Sequence, residues 1–151
     1  MSSPIIVTFH PKHLEVMDVR EVEKFGSFKL EDLYERVDKI NKESVQSATF
    51  IYEGRILFCA GFSMMWPGVA EGWMIPSVYV KEYPVLCCKI LKMYVDRIMV
   101  DFKCHRFQTT SPDDPFHERW MGFLGLKKEG TMRQYTHDKK NYCVYARYSD
   151  G

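Results

Sequence analysis

The apolar runs in this 151-residue chain all fall short of the ~18 consecutive residues that a membrane-spanning helix needs. An excess of one charge is missing too. Its 21 Lys and Arg are interspersed with 20 Asp and Glu, for a formal net charge of +1, which leaves no basic footprint for nucleic acid. The cysteines, Cys59, Cys87, Cys88, Cys104 and Cys143, are odd in number and make no C-x-x-C pair, so reduced and buried thiols are expected instead of a disulfide framework. His10 and His13 lie three apart, but Pro11 between them spoils the helical geometry a shared metal would need, so no metal site is expected. Met1-Ser2-Ser3-Pro4 has neither the basic start nor the apolar stretch of a secretory leader. Repeats, low-complexity tracts and linkers are also lacking. These absences lead to the expectation of a protein that stays in a cytoplasm or is packaged in a particle assembled there.

What is present is a foldable domain. Hydrophobic residues make up 46% and aromatics 15%, and this length corresponds to one domain, residues 1–151, with a sizeable core. Its organising stretch runs from Glu71 to Val100. Glu71 to Val80 is rich in aromatic and branched residues and reads as a strand, and Lys81-Glu82-Tyr83 as a turn. Pro84 then opens a helix with Leu86, Ile90, Leu91, Tyr94, Val95, Ile98 and Met99 on one face. A strand running directly into a helix start aims unpaired N–H groups and a positive dipole end at one point, which suits an anion.

Around that unit the chain alternates. Ile5–Phe9 reads as a strand, residues 12–25 as a helix stopped by Gly26, and Ser27 as the cap of a second helix. Gln46–Tyr52 and Arg55–Met64 read as strands joined by a Glu53-Gly54 hairpin turn, and Met65–Ala70 as a loop. After the central helix come a strand at His105–Thr110, a helix at Phe116–Leu124 closed by Gly125, and strands near Lys127–Tyr135 and Tyr142–Tyr148. The order is β-α-α-β-β-β-α-β-α-β-β, one mixed α/β (α+β) domain.

That order resembles the GNAT (Gcn5-related N-acetyltransferase) fold, and four local patterns resemble the small GNAT-like proteins of tailed phages related to internal virion protein A of short-tailed phages. They are Asp18-Val19-Arg20-Glu21-Val22, the hairpin Tyr52–Leu57, Gly72-Trp73-Met74-Ile75 with Ser77, and His117–Leu126. The resemblance implies a central sheet of about seven strands flanked by about four helices, with two parallel central strands splayed apart. It implies acetyl-coenzyme A in that gap, held by the strand edge at Ile75, Ser77 and Val78 and by Lys81, Tyr83, Val85 and Lys89 around the turn. It further implies an amine acceptor on a protein or small molecule, or a host or virion protein partner, and a location in the host cytoplasm or the phage virion.

The chain departs from the superfamily pattern twice. The phosphate loop of the form Q/R-x-x-G-x-G/A is replaced by Val80–Val85, which has no glycine, includes Pro84 without an N–H and places Glu82 beside the expected anion. Met121 stands four residues before Gly125, where superfamily enzymes often carry a tyrosine that protonates the leaving thiolate. Chemistry then falls to other residues. Asp18 and Glu21 share one helical face and, as catalytic carboxylates, suit holding or deprotonating an amine, or else form a solvated face with Arg20 and Lys24. His117 suits acid–base work, or packs at a helix start beside Asp113 and Asp114. Arg119 suits an anionic group of a substrate and Trp73 a ligand wall; a surface arginine and a core tryptophan are the alternatives. Two classes stay open: an acetyl-coenzyme A-dependent N-acetyltransferase, and a phage protein of the same shape that binds a partner without catalysis.

Overall fold

The computed structural model describes residues 3–17 and 30–149. In chain order its elements are β1 (Ile5–Thr8), α1 (His13–Val16), α2 (Leu30–Glu43), β2 (Gln46–Tyr52), β3 (Arg55–Trp66) and β4 (Val69–Pro76). A 3-10 helix (Val78–Lys81) leads to α3 (Pro84–Asp101), β5 (Arg106–Pro112), α4 (Pro115–Phe123), β6 (Lys127–Met132) and β7 (Tyr142–Tyr148). The strands form one mixed sheet of seven, the number expected, in the order β1-β2-β3-β4-β5-β7-β6. All neighbours are antiparallel except β4 and β5.

Side-chain alternation along the strands supplies a core on each face. On one face Phe50, Phe58, Phe62 and Phe107 bury against Leu91, Val95 and Ile98 of α3 and Trp120 of α4. On the other, Cys59 and Ile75 bury against Phe9, Leu14, Met17 and, from α2, Leu33 and Val37. The apolar face expected for α3 is there: Pro84 occupies the first turn and Leu91, Val95, Ile98 and Met99 are buried. At the start of α4, Asp114 caps by accepting the His117 N–H at 2.8 Å.

Several boundaries differ from the sequence reading; among them, β5 runs on to Pro112 and β6 stops at Met132 instead of Tyr135. The helix expected over 12–25 stops at Val16, because Met17 is extended (φ −96, ψ 149) and turns inward, where Cys59 Sγ donates to its Sδ at 3.7 Å. Residues 18–25 of that helix lie outside the described residues. The loop expected at Met65–Ala70 is a tight hairpin, since Gly68 takes φ +88 and its carbonyl accepts both His105 N–H and Arg106 N–H. The strand expected to reach Val80 ends at Pro76. Pro76 has no N–H to continue a ladder, and Ser77 caps the 3-10 helix by accepting the Tyr79 N–H.

The feature that positions the site is a fork. Parallel pairing of β4 with β5 covers only Val69, Ala70 and Glu71 against Arg106, Phe107 and Gln108. Beyond it the strands diverge, and Thr109 Oγ1 donates to the Gly72 carbonyl at 2.8 Å where the next rung would form. Gly72 is required at this apex: a Cβ would lie 2.4 Å from Cζ of the buried Phe107 ring. Gly72→Ala is expected to destabilise the fold by about 1–3 kcal/mol through overpacking, read as a lower denaturant midpoint at unchanged slope. An unchanged midpoint would mean that the strands part there without effort.

Candidate active site

Pairing on the other side of β4 fixes which backbone groups face the gap. Ser77 N–H bonds to the Leu57 carbonyl at 2.9 Å, and the register places Cys59 opposite Ile75 and Gly61 opposite Trp73. Alternation of an antiparallel ladder then gives the amides of Trp73 and Ile75 to β3 and turns those of Gly72, Met74 and Pro76 toward β5. The edge expected from the sequence at Ile75 and Ser77 is therefore one residue out of phase, and Val78 lies beyond the strand in the 3-10 helix. Met74 offers an N–H and a C=O across the gap, Pro76 a C=O alone.

A cavity of about 220 Å³ opens in the fork. Its wall draws on both faces of the sheet: Val37 and Ile40 of α2 with Trp73 and Ile75 from one side, Phe116, His117, Trp120 and Met121 of α4 from the other. Thr109, Thr110 and Ser111 of β5 form its floor, and Tyr135 and Tyr142 close the β7 end. The cavity thus sits in the fork, between the two layers that cover the sheet.

One histidine of the wall, His117, is paired with a carboxylate behind it. His117 is 7% exposed, and its Nδ1 lies 2.8 Å from both Oδ1 and Oδ2 of Asp114. The carboxylate contacts at Nδ1 fix the orientation of the ring in the wall. The same Asp114 caps α4, so one residue positions both the helix and the ring. Beneath α4 the Tyr145 phenol, buried and pushed up to about 12 chiefly by burial and then by neighbouring Cys143, Glu118 and Asp113, finds no hydrogen-bond partner among the described residues. The cysteines are no nucleophiles. Burial pushes Cys59 up to about 11 and Cys87 up to about 12, and raises Cys88, Cys104 and Cys143 as well, so all stay protonated near neutrality.

Of the residues singled out from sequence, Ile75, Trp73 and His117 line the cavity. Trp73 also has a structural role: its Nε1 donates to Ser44 Oγ at 2.9 Å and its ring packs edge-on to Phe9. Ser77 is not available to a ligand, for it is fully buried and its hydroxyl donates to the Ile56 carbonyl at 2.7 Å. Val78, Lys81, Val85 and Lys89 are exposed around the start of α3, and Arg119 is exposed on α4; none is in the cavity wall. Tyr83 packs on Tyr52. Asp18 and Glu21 lie outside the described residues. Sequence reasoning missed Arg36, Ile40, Thr109, Thr110, Ser111, Tyr135 and Tyr142. The run of three hydroxyl residues in an inner strand was the available signal.

A forked parallel pair with a cavity in the fork of a seven-stranded sheet now has named counterparts. An acetyltransferase of the GNAT family from Bacillus anthracis superposes with a TM-score of 0.71 at 16% identity, over 98% of this chain and 96% of that one. Ard1 from Thermoplasma volcanium gives 0.74 at 12% identity over 98% and 99%. A ribosomal-protein-alanine N-acetyltransferase from Brucella melitensis gives 0.69 at 10% over 96% and 99%. The fold is that of the GNAT acetyltransferases. No family model matches the sequence, and no curated protein does so either.

The group this fold commonly binds, acetyl-coenzyme A, fits the site in one half only. The gap suits a pantetheine arm, since Met74 presents an amide donor and acceptor along an apolar slot. The turn at α3 does not suit the diphosphate: Tyr79, Val80 and Glu82 use their N–H groups internally, and Glu82 forms an ion pair with Arg55 at 2.9 Å.

Proposed function

We propose that this chain is a GNAT-type N-acetyltransferase, moving an acetyl group from a coenzyme A-type thioester to an amine on a protein or small molecule. The observation that carries this reading is the cavity in the fork, with the His117–Asp114 pair in its wall. The donor supplies an acetyl group activated on sulfur. The protein contributes the rest. The Met74 edge orients the donor arm, Trp73, Phe116 and Trp120 exclude water, and His117 Nε2 takes the proton that the amine must lose. Asp114 holds the resulting imidazolium. Among the described lining residues, the phenols of Tyr135 and Tyr142 are further proton donors, which matters because Met121 is not one. Asp18 and Glu21 remain candidates for holding the acceptor amine on sequence grounds.

One observation favours a second reading. The closed turn before α3 suits a protein that keeps the shape without gripping the nucleotide, as a virion component or a binder of a host protein would. Mass spectrometry separates the two. The purified chain is incubated with millimolar acetyl-coenzyme A and a panel of peptides with free α-amines, lysine peptides and small amines. Enzyme-dependent addition of an acetyl group to an amine is the expected result. No acetylation above the chemical background with any acceptor would leave the binding protein as the reading.

A further inference from the structure

A GNAT-fold enzyme that used all of coenzyme A would need anion donors where β4 hands over to α3. This chain spends three amides of that segment on internal bonds. Tyr79 N–H goes to Ser77 Oγ at 3.2 Å, Val80 N–H to the Ser77 carbonyl at 3.3 Å and Glu82 N–H to the Tyr79 carbonyl at 3.0 Å. Pro84 adds no donor, and the N–H groups of Tyr83, Val85 and Leu86 are those left at the start of α3. With no glycine from Val80 to Val85, side chains fill the approach: the Tyr83 ring stands edge-on to Tyr52 at 5.0 Å, and the Arg55 guanidinium lies 4.6 Å over the Tyr79 ring.

Charge argues the same way. Arg55, the cation best placed at this corner, is tied to Glu82 Oε2 at 2.9 Å. Glu53 lies on the hairpin beside it. The Tyr83 phenol is raised first by burial and then by Glu53 and Glu82, with Arg55 pulling the other way. Lys81 and Lys89 are exposed point charges, screened over a Debye length of ~8 Å at physiological salt. A diphosphate seated here would meet the Glu82 carboxylate with its Arg55 partner already engaged, and would find the Tyr79, Val80 and Glu82 amides already bonded.

The arm half of the site is intact. The Met74 amide and carbonyl and the Pro76 carbonyl face the gap, and the cavity beyond is lined by Trp73, Phe116 and Trp120. We infer that the chain recognises its acyl donor through the pantetheine thioester arm alone, and leaves the diphosphate and nucleotide of coenzyme A in solvent. This rests on the acyl-transfer reading and specifies its donor class: any acetyl thioester with a pantetheine arm.

Calorimetry on the full chain at physiological salt, without acceptor, compares S-acetyl-pantetheine with acetyl-coenzyme A. The expected result is two dissociation constants within about threefold of each other. Acetyl-coenzyme A binding more than about 30-fold tighter would overturn the inference while leaving the acyl-transfer reading in place. Silence from both ligands at millimolar concentration would overturn both. A charge variant adds a gain-of-function arm. Glu82→Gln releases Arg55 and removes a carboxylate, so acetyl-coenzyme A should bind several-fold tighter, in a salt-dependent way, with S-acetyl-pantetheine unchanged. Equal responses of the two ligands to Glu82→Gln would overturn the charge account.

Discussion

Replacing His117 with glutamine is expected to lower kcat for amine acetylation by about 10²–10⁴-fold, the usual contribution of a positioned acid–base group. Donor affinity should hardly move, because the strand edge that orients the arm is backbone of β4, away from the ring. The fold should also survive. The cap of α4 is made by Asp114 accepting the His117 backbone N–H, and that bond does not depend on the side chain. A purely structural role for the ring would show up differently, as a lower melting temperature with kcat per folded molecule preserved. His117→Ala offers a second readout: imidazole added to the solution should restore part of the rate, since the ring it replaces bordered an open cavity. A glutamine variant with normal kcat would remove His117 from the chemistry. Asp114→Asn should fall between, because asparagine keeps an oxygen for the helix cap but gives up the charge that steadies the imidazolium.

The elements were legible where periodicity and punctuation agree. Leu91, Val95 and Ile98 recur at helical spacing behind Pro84, and they are the buried stripe of α3. The turn Glu53-Gly54 was legible because glycine supplies the positive φ that a two-residue hairpin needs; Gly54 takes +78, and Glu53 beside it takes +51. Legibility failed where composition and stereochemistry disagree. Ile75-Pro76-Ser77-Val78-Tyr79-Val80 has the residues of a strand, yet proline ends the ladder and serine starts a turn. The phase of the β4 edge was invisible for a related reason: it depends on which neighbour takes the first hydrogen bond, and β3 takes Ser77 N–H.

The site was half legible. His117 and Asp114 are three apart on one chain segment, so their pairing is local and a sequence can display it. Tyr135, Tyr142, Thr109 and Arg36 come together only through the order of strands in the sheet, and no spacing along the chain encodes that. Trp73 had to be offered both as core and as wall. It is both, because a strand at the mouth of a fork packs with one part of a side chain and lines the gap with another.

The second large effect falls on stability. Phe58→Ala is expected to cost about 3–5 kcal/mol, as for other large-to-small changes in a rigid core. The ring is fully buried, stacks on Phe50 with centroids 4.5 Å apart, and belongs to the core beneath α3. Neighbours bound into a sheet cannot collapse into the space it leaves, so the cavity term adds to the lost transfer energy. At ~2–4 °C per kcal/mol for a domain of this size, the melting temperature should fall by roughly 6–20 °C. Met93→Ala, exposed on the same helix, should stay within about 0.5 kcal/mol of the parent. Phe58 stands opposite Pro76 in the register of β3 with β4, so the loss also tests how the far end of the fork is held. If the β3 ladder alone fixes that end, variant molecules that remain folded at low temperature should turn over amine at nearly the parental rate. A folded variant with a collapsed rate would mean that the packing of α3 against the sheet, and not the pairing of β4 with β3, keeps the gap at its working width.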